Sequence, residues 1–301
     1  MAGCSTSPTV HTKRPWAFLR FAEAESRECE LLQVDNVSFT YDRHRRARSG
    51  RDSWQPYVLE GISFLIDRGT IIGLLGPNGS GKTTLLRIID GMLKPQSGRV
   101  LIDGENVATM PRRALARRMA VVPQETHAAF DFSALDIVLM GRYAHLGRLQ
   151  LEGPDDRRIA REAMAATGTA ALEARVFDTL SGGEKQRVII AGALAQASDI
   201  LLLDEPTASL DLGYQLDIAA LLRSLNRERR TTMLLSTHDL NLAAAICTEL
   251  VLVRAGRVVA AGPTSRVLTA DTVRRLYDVD ADVQPHVRAG HLTVVPIARL
   301  H

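Results

Sequence analysis

Hydrophobic and polar positions change period several times along this chain, and each change marks an element. Leu31 to Tyr41 (LLQVDNVSFTY) alternates like a half-buried strand. Short apolar runs near 57–66, 70–75, 98–102 and 119–122 predict further strands, with a helical pattern opening after Gly81. From 125 to 179 strand character disappears. That stretch is rich in Ala, Leu, Arg and Glu, with Ser133 as an N-cap and Pro154 as a first helical residue, which predicts a helical insert over about 125–180. Apolar strands resume at 200–204, 231–236 and 249–254, the last followed by the hairpin turn Ala255-Gly256. Strands alternating with helices predict an α/β core that the insert interrupts. No period of 20 to 50 residues appears, which argues against solenoids and propellers.

Residues 1–30 have no periodicity and predict a flexible N-terminal tail without the apolar stretch of a secretion or lipoprotein signal. Residues 42–56 hold five arginines and two aspartates with no apolar face, predicting a solvated loop. Composition narrows the picture: 301 residues, 46% hydrophobic and 24% charged, exclude disordered and collagen-like chains. The longest apolar run, Val188 to Ala195, falls far short of the ~20 residues a spanning helix needs. A net charge of +3 does not by itself imply nucleic acid. Cys4, Cys29 and Cys247 form neither a disulfide framework nor a metal pair and suit a reducing compartment.

Three segments carry chemistry. Gly76-Pro77-Asn78-Gly79-Ser80-Gly81-Lys82-Thr83, with Thr84 following, fits GxxxxGK[ST] between the strand Ile71 to Leu75 and a helix. Glycines let backbone N–H groups curl around phosphates, Lys82 neutralises the outer ones, and the Thr83 hydroxyl can hold Mg²⁺. Ile200 to Leu203 runs into Asp204 and Glu205, an apolar strand ending in two carboxylates. Asp204 is placed to organise Mg²⁺, and Glu205, pointing elsewhere, to polarise an attacking water as general base. Leu180-Ser181-Gly182-Gly183-Glu184-Lys185-Gln186-Arg187 begins with a capping-box spacing before an apolar helical run. Its two glycines leave that helix N-terminus open to an anion.

Leu180 to Arg187 resembles the signature motif of ATP-binding cassette (ABC) ATPases, and the other motifs occur in that family's order over roughly 31–262. Gly76 to Thr83 matches Walker A, Gln124 in Val121-Val122-Pro123-Gln124 the Q-loop, and Ile200 to Glu205 Walker B. Ser209-Leu210-Asp211 resembles the D-loop, and His238 in Ser236-Thr237-His238-Asp239 the switch histidine. The resemblance implies a P-loop NTPase core with an antiparallel β-subdomain and an inserted α-helical subdomain, followed by a small C-terminal extension over 263–301. It implies a head-to-tail homodimer in which Walker A of one copy and Ser181, Gly182 and Gly183 of the other enclose ATP, with Asp211 at the same interface. It also implies that Gln124 senses the γ-phosphate and Mg²⁺ and that His238 orients water and γ-phosphate. Tyr41 matches the aromatic that stacks on adenine, with Trp54 and Tyr57 beyond the arginine-rich loop as alternatives.

The stretch Phe130 to Leu146, with Met140-Gly141-Arg142-Tyr143, resembles importer ATPases for ferric siderophores, haem or cobalamin, as does the tail around Val267-Leu268-Thr269 and RRLYDV (274–279). The alternative for the first stretch is an amphipathic helix packing Ile137, Val138 and Met140 inward. This resemblance implies an ATPase on the cytoplasmic face of the cell membrane, bound peripherally to separate transmembrane permease subunits and reached only indirectly by a substrate-binding protein. Exporter and nucleic-acid or ribosome ATPases share the same motor. The interval from Lys82 to Asp204 is too short for a long coiled-coil arm, so no nucleic-acid partner is expected. Scattered Asp271, Asp278, Asp280, Asp282, His286, His291 and His301 match no metal-ligand spacing.

Overall fold

The computed structural model describes residues 30–41, 58–124, 130–147, 149–208 and 210–300. The expected N-terminal tail before residue 30, the arginine-rich loop with Trp54 and Tyr57, Ser209 and His301 lie outside the described residues.

Strand β3 (Ile71–Leu75) is buried along its whole length, as a central strand of a parallel sheet covered on both faces must be. It pairs in parallel with β8 (Thr232–Thr237) and β9 (Glu249–Arg254). β8 pairs with β7 (Ile200–Asp204), and β7 with β6 (Met119–Val122). An antiparallel edge strand, β10 (Arg257–Pro263), gives the order β10-β9-β3-β8-β7-β6. The turn from β9 to β10 places Ala255 and Gly256 at φ +47° and +74°, the pair of positive values that suits the twist of a two-residue hairpin.

Side chains alternate across this sheet, so each strand divides between two cores. Ile71, Leu75, Leu201, Leu203, Met233 and Leu235 face one side. They pack on α6 (Leu212–Arg229) and α7 (Leu240–Ile246) through Ile218, Leu222 and Ala243. Ile72, Leu74, Ile200, Leu202 and Leu234 face the other, against Leu85 and Ile88 of α1 (Lys82–Ile89) and a second sheet. That sheet is antiparallel, ordered β2-β1-β4-β5, with β1 (Glu30–Phe39), β2 (Leu59–Asp67), β4 (Ser97–Ile102) and β5 (Glu105–Asn106). A short helix, α2 (Arg112–Arg118), leads into β6.

The segment after β6 contains α3 (Ala134–Met140), α4 (Pro154–Ala166) and α5 (Gly182–Ala195), with a core of their own that includes Val138, Met164, Phe177 and Val188. Ser133 caps α3 in a reciprocal box with Asp136, and Pro154 opens α4. Ile137 and Val138 are buried here and Met140 packs against the same cluster. In Met140-Gly141-Arg142-Tyr143, the next two residues are committed to packing as well. A Cβ on Gly141 would meet the Gly192 carbonyl oxygen at 2.1 Å, and buried Arg142 donates to Asp156 at 3.0 Å and to the Ala195 carbonyl at 2.7 Å. Tyr143, 56% exposed, remains on the surface.

Beyond β10 lie α8 (Thr264–Val267), α9 (Ala270–Tyr277) and a hairpin of β11 (Val279–His286) and β12 (His291–Arg299). Val267, Leu276, Ala281 and Val294 join the core on the α6 and α7 side of the central sheet. Cys247 is a buried free thiol there, its pKa raised by desolvation. Among the described residues no helix is long and apolar enough to cross a membrane, and no group of His, Cys, Asp and Glu is arranged to hold a metal.

Glu249 opens β9 beside Ile72, and burial, reinforced by the Asp67 carboxylate, pushes its carboxyl from 4.5 up to about 7. The folded state therefore favours the protonated acid, so the stabilisation is complete below about pH 4.5 and is lost as pH rises through about 7. Glu249→Gln should raise the melting temperature at pH 8.5 by about 2–4 °C, ~1 kcal/mol after solvent screening of a half-buried group, and leave it unchanged at pH 4. Thermal unfolding at the two pH values checks this.

Candidate functional site

Three chain segments leave the same end of the parallel sheet. Leu75 pairs with Thr237 and Asp204 with Ser236, so the glycine loop after β3, the carboxylates ending β7 and the histidine following β8 emerge together. This is where parallel α/β sheets place their ligands, outside the carboxyl ends of the strands.

The loop from Gly76 to Gly81 is shaped by contacts only glycine satisfies. A Cβ on Gly76 would lie 2.1 Å from the Val253 carbonyl oxygen. Gly81, the N-cap of α1, has φ +102°, and a Cβ there would meet the Leu59 side chain at 2.6 Å. Lys82 follows at the first helical position, 6% exposed, and its ammonium turns back into the loop. It donates to the Gly76 carbonyl at 2.9 Å and the Pro77 carbonyl at 3.4 Å, and sits 3.6 Å from Glu205 Oε1.

Glu205 occupies φ +47°, a left-handed conformation uncommon for a residue with a side chain, and its N–H is fixed by the Ser236 carbonyl at 3.0 Å. Its other oxygen, Oε2, lies 3.1 Å from Nδ1 of His238. Glu205 thus bridges the buried ammonium of Lys82 and the exposed imidazole of His238. A cavity of about 400 Å³ opens beside them, lined by Asn78, Gly79, Gly81, Lys82, Thr83, Thr84, Gln124 and Glu205, with Val58 on its wall.

Asp204, one residue before Glu205, carries a buried oxygen with no hydrogen-bond partner, as do the hydroxyls of Ser80 and Ser236. Unpaired buried oxygens are costly unless something fills the place. Thr83 and Gln124 line the cavity, and their side chains and the Asp204 carboxylate all carry oxygen donors of the kind a hard divalent cation takes. The residues present therefore fit Mg²⁺.

Other residues singled out from the sequence lie outside this cavity. Tyr41 is 58% exposed, stacks edge-on against Phe39 at 4.9 Å and shares a 3.0 Å hydrogen bond with the Thr84 hydroxyl, which ties it to α1. Ser181 caps α5, accepting from Glu184 N–H while its own N–H donates to the Glu184 carboxylate at 2.8 Å. That backbone donor holds the Glu184 carboxyl below its usual range. Buried Gly183 rests on Tyr214 of α6, where a Cβ would come within 2.3 Å of the ring, and Gly182 faces Leu210. Asp211 caps α6 by accepting from Tyr214 N–H at 3.0 Å. Ser181, Gly182 and Asp211 are all exposed, as are Leu212 at 72% and Leu216 at 63%.

Residues 59–208 match the family model described as ABC transporter. The chain is 40% identical to a hemin import ATP-binding protein of Bordetella bronchiseptica, over 76% of this chain and 89% of that protein. It is 37% identical to the ferric enterobactin transport ATP-binding protein of Escherichia coli, over 80% and 89%. The chain belongs to the ABC ATPases. An ABC ATPase domain binds ATP. A cobalamin import ATP-binding protein of Halobacterium salinarum is 43% identical over 80% of the chain, which spans 60% of that relative's length. Among solved structures, an inward-facing metal-chelate type ABC transporter superposes with TM-score 0.75 at 28% identity, covering 89% of this ABC ATPase and 97% of that chain. A dimeric bacterial ABC transporter cassette superposes with TM-score 0.66 at 28% identity, covering 78% and 99%.

Sequence reasoning did not find the contacts that hold the His238 segment. The alternation of Val279, Ala281 and Val283 with Asp280, Asp282 and Gln284, followed by Ala289-Gly290, was the available signal for the β11–β12 hairpin that supplies them.

Two glycines separate steric from conformational demands. Gly76→Ala should lower the melting temperature by about 4–8 °C, because backbone must move to admit the methyl. Gly79→Ala, with open space but φ +80°, should lower it by only about 2–4 °C, the cost of one left-handed residue with a side chain. Parallel thermal unfolding of the two variants measures the difference.

Proposed function

We propose that this chain is the ATP-hydrolysing subunit of a membrane importer for ferric siderophore, haem or cobalamin cargo. The observation that carries the hydrolytic reading is the Lys82–Glu205–His238 array beside the phosphate-loop cavity. The importer reading is supported by identities of 37–43% to relatives named for cobalamin, hemin, enterobactin and hydroxamate import.

Lys82 and the N–H groups from Asn78 to Thr84 bind the phosphates, with Gly76 and Pro77 setting the loop and Tyr41 stacking on the base. Thr83, Gln124 and Asp204 would hold Mg²⁺, which supplies charge neutralisation between the terminal phosphates when bound. Glu205 accepts the proton of the attacking water, and His238 orients that water and the γ-phosphate. The water oxygen bonds to the γ-phosphorus as the bond from that phosphorus to the ADP oxygen breaks, phosphate leaves, and the proton passes from Glu205 to solvent. Gln124 links the phosphate site to the helical insert.

Ser181, Gly182, Gly183 and Asp211 act on the ATP held by a second copy. The exposure of Ser181, Gly182 and Asp211, with Leu212 and Leu216 exposed on the helix that Asp211 caps, supports an interface there. The homodimer then sits peripherally on the cytoplasmic face of the cell membrane against separate permease subunits, with the substrate-binding protein acting through them. ATP closes the two copies and hydrolysis reopens them, a population shift transmitted to the permease.

Lys82→Ala should lower ATP affinity at least about tenfold by titration with a fluorescent ATP analogue, and abolish hydrolysis. Glu205→Gln should retain ATP binding while turnover falls by about 10²–10³. Normal turnover in that variant would remove Glu205 as base. Purification of the full chain from its own cell in mild detergent should recover a polytopic membrane protein. Recovery of only ribosomal proteins or DNA would contradict the importer reading.

A further inference from the structure

The His238 side chain is 53% exposed and, among the described residues, hydrogen-bonds through its ring only to Glu205. Its position depends on the backbone that carries it, the link between β8 and α7. That link is fastened on one side within itself: the Thr237 hydroxyl accepts Asp239 N–H at 3.1 Å, and the Asp239 carboxylate caps α7 through Asn241 N–H at 2.8 Å and Leu242 N–H at 3.0 Å. On the other side it is fastened to the C-terminal elements. The Asn241 side chain donates to the Val294 carbonyl at 3.1 Å and accepts Val294 N–H at 2.8 Å, a two-point pairing with β12. Tyr277, the last residue of α9, donates its phenol to the His238 carbonyl at 3.4 Å. That phenol also lies near Glu205 and Asp239, and burial and these carboxylates raise its pKa, keeping it a donor.

The C-terminal segment is anchored well enough to act as a reference. Val273, Leu276, Ala281 and Val294 are buried in the central core, and Thr269 caps α9. A packed unit of helix and hairpin, remote in sequence from the phosphate loop, therefore grips the histidine segment at two points. We propose that Tyr277 and Asn241 are positioning residues for ATP hydrolysis: through them the α9–β11–β12 unit sets where His238 stands relative to Glu205. This rests on the assignment of His238 to the hydrolytic step.

Such a role separates chemistry from binding. Neither residue lines the phosphate-loop cavity, so their loss should change kcat and leave KM for ATP in place. Tyr277→Phe keeps the ring and its packing and removes only the donor. Asn241→Ala removes both contacts to Val294. In the full chain, steady-state hydrolysis with Mg-ATP should show kcat reduced about 3–30-fold in each variant with KM for ATP unchanged, the melting temperature within error of the parent in Tyr277→Phe and lowered by about 2–6 °C in Asn241→Ala. In a His238→Ala background, single-turnover hydrolysis should show no further loss from Tyr277→Phe, because the group being positioned is gone.

The outcomes are distinct. Unchanged kcat in Tyr277→Phe and Asn241→Ala, or full additivity with His238→Ala, overturns the positioning role while a slow His238→Ala leaves the hydrolytic reading standing. A fall in kcat that tracks a fall in melting temperature, without recovery when Asn241→Gln or Asn241→Asp restores part of the pairing, also overturns it. Full turnover in His238→Ala overturns both the role of His238 and the proposal built on it.

Discussion

Parallel pairing of β3, β8 and β7 is the constraint on which the rest of the molecule depends. Because Leu75 is level with Thr237 and Asp204 with Ser236, three segments far apart in sequence end at one edge. A slip of one residue in either register would displace Lys82, Glu205 and His238 relative to one another by about 3.3 Å, the rise of a strand per residue. The register is enforced by burial on both faces: Leu74, Leu202 and Leu234 point to one core while Leu75, Leu203 and Leu235 point to the other. Neither face tolerates a slip that exchanges them.

On this frame the site concentrates unusual local states. Glu205 adopts a positive φ, Lys82 buries its ammonium against two carbonyls and a carboxylate, and Asp204 keeps an unpaired buried oxygen. Each is unfavourable alone. Lys82 and Glu205 line one cavity together with loop glycines and Thr83, and Asp204 directly precedes Glu205 in the chain. The helical insert has its own core around Val138 and Phe177, which makes it a separate packing unit.

Much of this was legible in the sequence for physical reasons. A five-residue apolar run such as Ile71 to Leu75 has few uses besides a strand buried on both faces, and the glycine loop after it demands the turn the structure makes. Ser133, Ser181 and Asp211 are short-range caps whose partners lie three residues away, so spacing alone identified the first two as helix starts. Long-range pairings were not legible. Nothing in Asn241 or Val294 taken separately says that they meet, and the bond from Tyr277 to His238 depends on how α9 and the hairpin dock on α7. The Met140 to Tyr143 stretch shows the converse: a motif read by its resemblance to importer ATPases uses Gly141 and Arg142 to hold helices together and leaves Tyr143 facing out.

In the proposed cycle one chain supplies only half of each ATP site, the rest coming from Ser181 to Gly183 of a second copy. Sedimentation equilibrium of the Glu205→Gln full chain with and without Mg-ATP tests this most directly. The expected result is the mass of one chain, 32.9 kDa, without nucleotide and twice that mass with it, the shift disappearing when Ser181 is also replaced by Arg. A single-chain mass in saturating Mg-ATP that the variant demonstrably binds would contradict it.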